Sequence, residues 1–116
     1  MLSLRVVIVD DHERFREQAA ELLRLHCFTV VGDCDTAARG VELSRRLTPD
    51  VVLLDVGLPD ASGFDIVPEM RATGAAVVLT SSRSAQDYGR RVADSGAEGF
   101  INKDELTGEA IRTLLR

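Results

Sequence analysis

The sequence has no tryptophan, one tyrosine and four phenylalanines in 116 residues. A core must therefore be assembled from Val, Leu, Ile and Ala rather than from aromatic rings. Only two cysteines occur, Cys27 and Cys34, in no CxxC spacing and with no histidine cluster beside them. That argues against a metal or redox thiol site and for two reduced, small, apolar residues. Runs of Lys and Arg are missing and the net charge is −5, so the electrostatic footprint of a nucleic-acid binder is lacking and no direct nucleic-acid binding is expected. Long hydrophobic runs are missing too. The first, Leu2 to Val9, is broken by Arg5 and followed by Asp10-Asp11, too short for a bilayer and without a cleavage pattern, so no membrane association and a cytoplasmic protein are expected. With no linker or low-complexity stretch, residues 1–116 are expected to form a single domain.

The most informative stretch runs from Val51 to Pro59. Four consecutive apolar residues, then Asp55, Gly57 and Pro59, predict a strand buried on both faces that delivers one carboxylate into a turn. Leu4 to Val9 predicts an earlier strand ending at Asp10-Asp11, and Phe15, Ala19, Leu22, Leu23 and His26 recur at helical spacing after it. His26 is expected to close that apolar stripe in a structural role. Thr29 to Gly32 predicts a short second strand, and Asp35 or Thr36 can cap a helix to Leu47 in which Gly40 is a weak point. A third helix is predicted from about Phe64 to Arg71, with Pro68 forcing a late start or a kink. Ala75 to Leu79 predicts a strand finishing in Thr80, Ser81 and Ser82. Ser84 to Asp87 has the pattern of a capping box for a fourth helix to Ser95, weakened by Gly89. Gly99 to Lys103 predicts a fifth strand, and Thr107 caps a last helix with Leu106 and Ile111 placed as a hydrophobic staple. Five alternating strand and helix units imply a three-layer α/β/α sandwich.

If the strands are parallel, Asp10, Asp11, Asp55, the hydroxyls of residues 80–82 and Lys103 meet at one sheet edge. Three converging carboxylates repel unless a cation joins them, and hard oxygen ligands suit Mg²⁺. Lys103 and a hydroxyl opposite the metal leave an anion-sized gap over Asp55, a phosphoryl pocket with a carboxylate nucleophile in its floor. Each piece also has an ordinary explanation: Asp11 as a helix cap, Asp55 as a turn residue, Lys103 as a solvated cation. His12 could ligate metal or relay protons, or simply face solvent.

Taken together, Asp10-Asp11, Asp55 with Leu58-Pro59 and Gly63, the hydroxyl after Val77-Val78-Leu79, and Gly96 to Lys103 resemble the receiver domain of a two-component response regulator across almost the whole chain. The resemblance implies a flavodoxin-like five-stranded parallel sheet in the order 2-1-3-4-5. It implies Asp55 as phosphoacceptor, Asp11 and Asp55 as direct Mg²⁺ ligands with the Gly57 backbone carbonyl, Asp10 as an indirect one, and Lys103 against the phosphoryl group. In the family register the switch hydroxyl is Ser81, 22 positions before Lys103, with Thr80 the alternative, and Phe100 matches the aromatic switch position. Asp10-Asp11-His12 and the segment through Asp104 resemble the subfamily whose receivers precede a helix-turn-helix output domain.

The implied partners are a histidine kinase and, across the face of the fourth helix, fifth strand and fifth helix, a downstream protein or an output domain; a homodimer is left open. Such a protein is no enzyme, although it takes part in its own phosphorylation and dephosphorylation. Three departures stand out: Asp104 replaces the common Pro, Gly57 offers only backbone, and Arg83 is placed where it could reach the site mouth. The sequence stops with the last helix, as expected of a stand-alone or an excised receiver. Two rivals remain, a receiver-like scaffold working without phosphorylation and a small aspartyl-phosphate phosphatase. The phosphatase is disfavoured because Asp55-Val56-Gly57 lacks a second Asp two positions on.

Overall fold

In the computed structural model, which describes residues 3–116, the chain alternates strand and helix from end to end. The strands are β1 (Leu4–Val9), β2 (Phe28–Cys34), β3 (Val51–Asp55), β4 (Ala76–Ser81) and β5 (Gly99–Asn102). The helices are α1 (Glu13–Leu25), α2 (Ala37–Leu47), α3 (Gly63–Arg71), α4 (Arg91–Asp94) and α5 (Gly108–Leu114). The sheet has the order β2-β1-β3-β4-β5 and every strand pair is parallel, as expected. Leu2 lies outside the described residues. Among the described residues no helix is long and apolar enough to cross a membrane.

Alternation along the strands sends side chains to two cores. Val6, Ile8, Val51, Leu53, Val78 and Ile101 meet α1 and α5 through Ala19, Leu23 and Ile111. On the other face Val7, Val9, Val52, Leu54, Val77 and Leu79 meet Val41 of α2 and Phe64, Val67 and Met70 of α3. All of β3 is buried, which accounts for its unbroken apolar run ahead of Asp55.

The structure departs from the sequence expectations in several places. Strand β2 extends from Phe28 to Cys34 because its register with β1 shifts between Val6 and Val7, passing over Val31, and pairing resumes beyond the irregularity. The third helix does not start late. It begins at Gly63 and runs through Pro68, with Val67 and Met70 wholly buried on either side. Burying two such side chains contributes about 3 to 6 kcal/mol, enough to offset a cost of about 3 kcal/mol for an internal proline. Gly40, expected as a weak point, lies inside α2 where a Cβ would meet Val9 Cγ2 at 2.8 Å, so its small size serves helix-sheet packing.

His26 is an exposed C-cap rather than part of the apolar stripe, and its carbonyl accepts from Arg112 of α5. Cys27 is exposed at φ 67° and Cys34 is half-buried; both thiols are free. The predicted fourth helix is absent as one element. Residues Ala85–Tyr88 form a 3-10 turn, Gly89 breaks the chain at φ 58° and ψ −127°, and α4 is four residues long. The sequence cue for the start of this segment is nonetheless used: Asp87 accepts from the Ser84 N–H at 3.3 Å.

Candidate functional site

The parallel strands place Asp10, Asp55, Thr80, Ser81 and Lys103 at the C-terminal edge of the sheet. Asp10 follows β1 and Asp55 closes β3, and both are nearly sealed from solvent, at 1% and 4% exposure. Lys103 follows β5 and reaches back over this edge, its Nζ 2.7 Å from Asp10 Oδ2 and 3.6 Å from Asp55 Oδ1. Its ammonium also sits 4.5 Å from the centre of the Phe15 ring, a contact that sequence reasoning missed. Asp10 Oδ1 accepts from the His12 backbone N–H at 2.8 Å. The Arg16 guanidinium donates to the Asp10 carbonyl at 2.7 Å, holding the start of α1 against the strand end.

Burial pushes the Asp55 carboxyl above its ordinary range, and the Asp10 charge pushes it further. Lys103 and the Gly57 N–H oppose that shift by favouring the carboxylate. Gly57 is set in the following loop by a bridge to Ser62. The loop returns so closely that a Cβ on Gly63 would meet the Asp55 carbonyl and lie 2.9 Å from Val56 Cα. Glycine at position 63 is therefore required by close approach to the strand that carries the nucleophile candidate.

His12 turns out to be part of the cluster. Its side chain is 65% exposed, yet Nδ1 lies 2.9 Å from Asp10 Oδ1, 3.2 Å from Asp11 Oδ1 and 4.0 Å from Asp55 Oδ2. One ligand atom from each of Asp10, Asp11, His12 and Asp55 falls within 4.8 Å of the others. Asp10 Oδ2 is ion-paired with Lys103 Nζ at 2.7 Å, while Asp10 Oδ1 is the oxygen turned towards His12. Carboxylate oxygens from Asp10, Asp11 and Asp55 gathered this closely fit a hard divalent cation such as Mg²⁺.

Two hydroxyls were candidates at the end of β4, and the pleat separates them. Thr80 is the register partner of Asp55 and shares its face; its buried Oγ1 has no hydrogen-bond partner. Ser81 projects to the opposite face with Val77 and Leu79, where its Oγ pairs with the Tyr88 hydroxyl at 2.6 Å and accepts from the Arg83 N–H at 3.1 Å. Arg83 thus meets Ser81 through its backbone. Phe100, on β5, is half-buried against the core that contains Leu79. Tyr88 was missed by sequence reasoning, although as the chain's single tyrosine, seven positions after Ser81, it offered a signal. Asn102 fixes the neighbouring loops, its side chain accepting from the Asp104 N–H at 2.9 Å and donating to the Arg83 carbonyl at 3.0 Å.

Comparison with known proteins agrees with this geometry. The family model described as the response regulator receiver domain matches residues 6–116. The nitrate/nitrite response regulator protein NarP of Escherichia coli is 36% identical over 115 residues, covering 93% of this chain and 53% of NarP. The transcriptional regulatory protein DegU of Brevibacillus brevis is 31% identical over 112 residues, covering 94% of this chain and 47% of DegU. The chain thus spans about half the length of these relatives. Among solved structures, the signal receiver domain of the response regulator NarL from Mycobacterium tuberculosis superposes with a TM-score of 0.86 at 32% identity, covering 99% of this chain and 95% of that one. An acidic edge closed by a lysine, on a sheet of this order and under a match of this extent, places the chain in the response regulator receiver domain family of two-component signalling.

Proposed function

We propose that the chain is a phosphorylation-controlled switch that accepts a phosphoryl group on Asp55 from a partner histidine kinase. The observation that carries this is the setting of Asp55: a buried carboxylate at the sheet edge, with carboxylate donors on one side and Lys103 Nζ 3.6 Å away on the other. Mg²⁺, when held by Asp11 and Asp55 with the Gly57 carbonyl and by Asp10 less directly, would neutralise charge on the transferring group. An Asp55 carboxylate oxygen attacks phosphorus in line with the leaving nitrogen. The P–O bond forms as the P–N bond breaks, and the electron pair stays on the kinase imidazole, which takes up a proton. Lys103 stands where a phosphoryl oxygen would be met, so it favours the charge that develops there. Water later cleaves the acyl phosphate and returns Asp55 to a carboxylate.

Output would pass through Ser81 and Phe100 to the face formed by α4, β5 and α5, which would meet a downstream protein or an output domain. Relatives named as transcriptional regulators support that role, while this chain would itself make no contact with nucleic acid. Thr80 remains a second candidate for the switch hydroxyl because its unpartnered Oγ1 shares the face of Asp55. The deciding experiment is Mg²⁺-dependent labelling by acetyl phosphate, read by intact-protein mass spectrometry. The parent should gain one phosphoryl group and Asp55→Asn none. A scaffold would not label, a phosphatase would turn the donor over without limit, and labelling of Asp55→Asn would move the acceptor elsewhere.

A further inference from the structure

Tyr88 holds a position that the phosphoryl chemistry does not itself require. Its hydroxyl is bound to Ser81 Oγ at 2.6 Å. Its ring makes edge contacts with Phe64, at 5.1 Å between centroids and 70° between planes, and with Phe100, at 5.9 Å and 61°. Phe64 lies in the first turn of α3, just beyond the loop that follows Asp55, and Phe100 lies on β5. One side chain therefore joins the Ser81 hydroxyl to both.

We propose that Tyr88 is a latch that holds Ser81 away from Asp55 until phosphorylation competes for the Ser81 hydroxyl. The inference rests on the proposed phosphorylation of Asp55. Pleat parity sends Ser81 to the face opposite Asp55, so meeting a phosphoryl group there requires a change of rotamer. A jump between staggered wells carries a serine Oγ about 2 Å. A 2.6 Å hydrogen bond to Tyr88 does not survive such a move. Once released, the phenol loses its partner and the ring can pivot, taking its contacts with Phe64 and Phe100 along. The backbone around it is suited to that motion: a 3-10 turn precedes, Gly89 follows at φ 58°, and α4 is a single four-residue turn with little stability of its own. Labelling then proceeds from the unlatched state, whose population the bond to Tyr88 keeps low, so the bond that phosphorylation breaks also slows phosphorylation.

Tyr88 is the only tyrosine and tryptophan is absent, so tyrosine fluorescence reports this one residue. The test compares the parent, Tyr88→Phe and Ser81→Ala in Mg²⁺ and acetyl phosphate, with circular dichroism confirming that each is folded. Tyr88→Phe keeps the ring and loses the hydroxyl, and it should label about threefold to tenfold faster than the parent, the worth of one hydrogen bond. Fluorescence of the parent should change with the same time course as labelling, and unlabelled Ser81→Ala should already resemble the labelled parent. Slower or unchanged labelling of Tyr88→Phe would overturn the latch, as would parent fluorescence that ignores labelling. Failure of the parent to label at all would remove the phosphorylation switch and the latch with it, whereas labelling without a tyrosine response removes the latch alone.

Discussion

At the scale of single residues, Asp55 behaves unlike a carboxylate in a stabilising ion pair. Its folded pKa is raised by burial and by Asp10, so in the metal-free protein its charge costs stability at neutral pH. That cost is relieved as pH falls through the raised value towards the unfolded one near 3.8. Asp55→Asn removes the charge and keeps the shape, so the metal-free variant should melt a few degrees higher than the parent at neutral pH, with the gap closing on acidification. Melting curves at several pH values check it. Lys103 carries the opposite sign. Removing it leaves Asp10 and Asp55 buried without their cation, and Lys103→Met should lose about 3 kcal/mol in urea unfolding, part of which added Mg²⁺ restores by replacing the missing charge.

At the scale of elements, what matters is how loops are tied to the framework. Helix α2 has its first donors satisfied from two sources: Thr36 accepts from Arg39 at 3.2 Å, while the Asp60 carboxylate accepts from Ala37 at 2.8 Å and Ala38 at 3.0 Å. These N–H groups hold the Asp60 carboxyl below its ordinary value, so the tie is present at neutral pH and is lost as pH falls through the lowered pKa. Asp60→Ala should cost about 1 kcal/mol, as loss of a helix cap does, and should loosen the loop between β3 and α3, measured by amide hydrogen exchange. Gly89 is the second such point. A Cβ there meets nothing within 4 Å, so Gly89→Ala acts through its backbone angle alone and should destabilise the observed break by about 1 to 3 kcal/mol. Continuous helical signal across positions 85–94 in the variant's backbone chemical shifts would show the chain returning to the single helix that its periodicity suggests.

At the scale of the molecule, phosphoacceptance and output are expected to separate, because the proposed nucleophile Asp55 lies on one face of the sheet with Thr80, and Ser81, Tyr88 and Phe100 lie on the other. Ser81→Ala should still label at Asp55 but lose the shift of the Phe100 amide on phosphorylation, followed by NMR, while Thr80→Val should do both much as the parent does. The reverse pattern would assign the switch hydroxyl to Thr80. The five strands, their parallel course and the meeting of Asp10, Asp55 and Lys103 were legible in the sequence because apolar runs and turn residues act locally, and parallel strands bring their C-terminal ends to one edge by geometry. Thr36 rather than Asp35 as the α2 cap, the passage of α3 through Pro68, the break at Gly89 and the seat of His12 among three carboxylates were not legible there. Asp35 instead pairs with Arg39 at 2.8 Å, a choice made by neighbours on the helix surface. Each of these turns on differences of a few kcal/mol between local alternatives, and packing between residues distant in sequence decides them. The Ser81–Tyr88 pair is of the same kind: the pleat determines which face the serine takes, but only the folded chain, bent at Gly89, supplies the phenol that meets it.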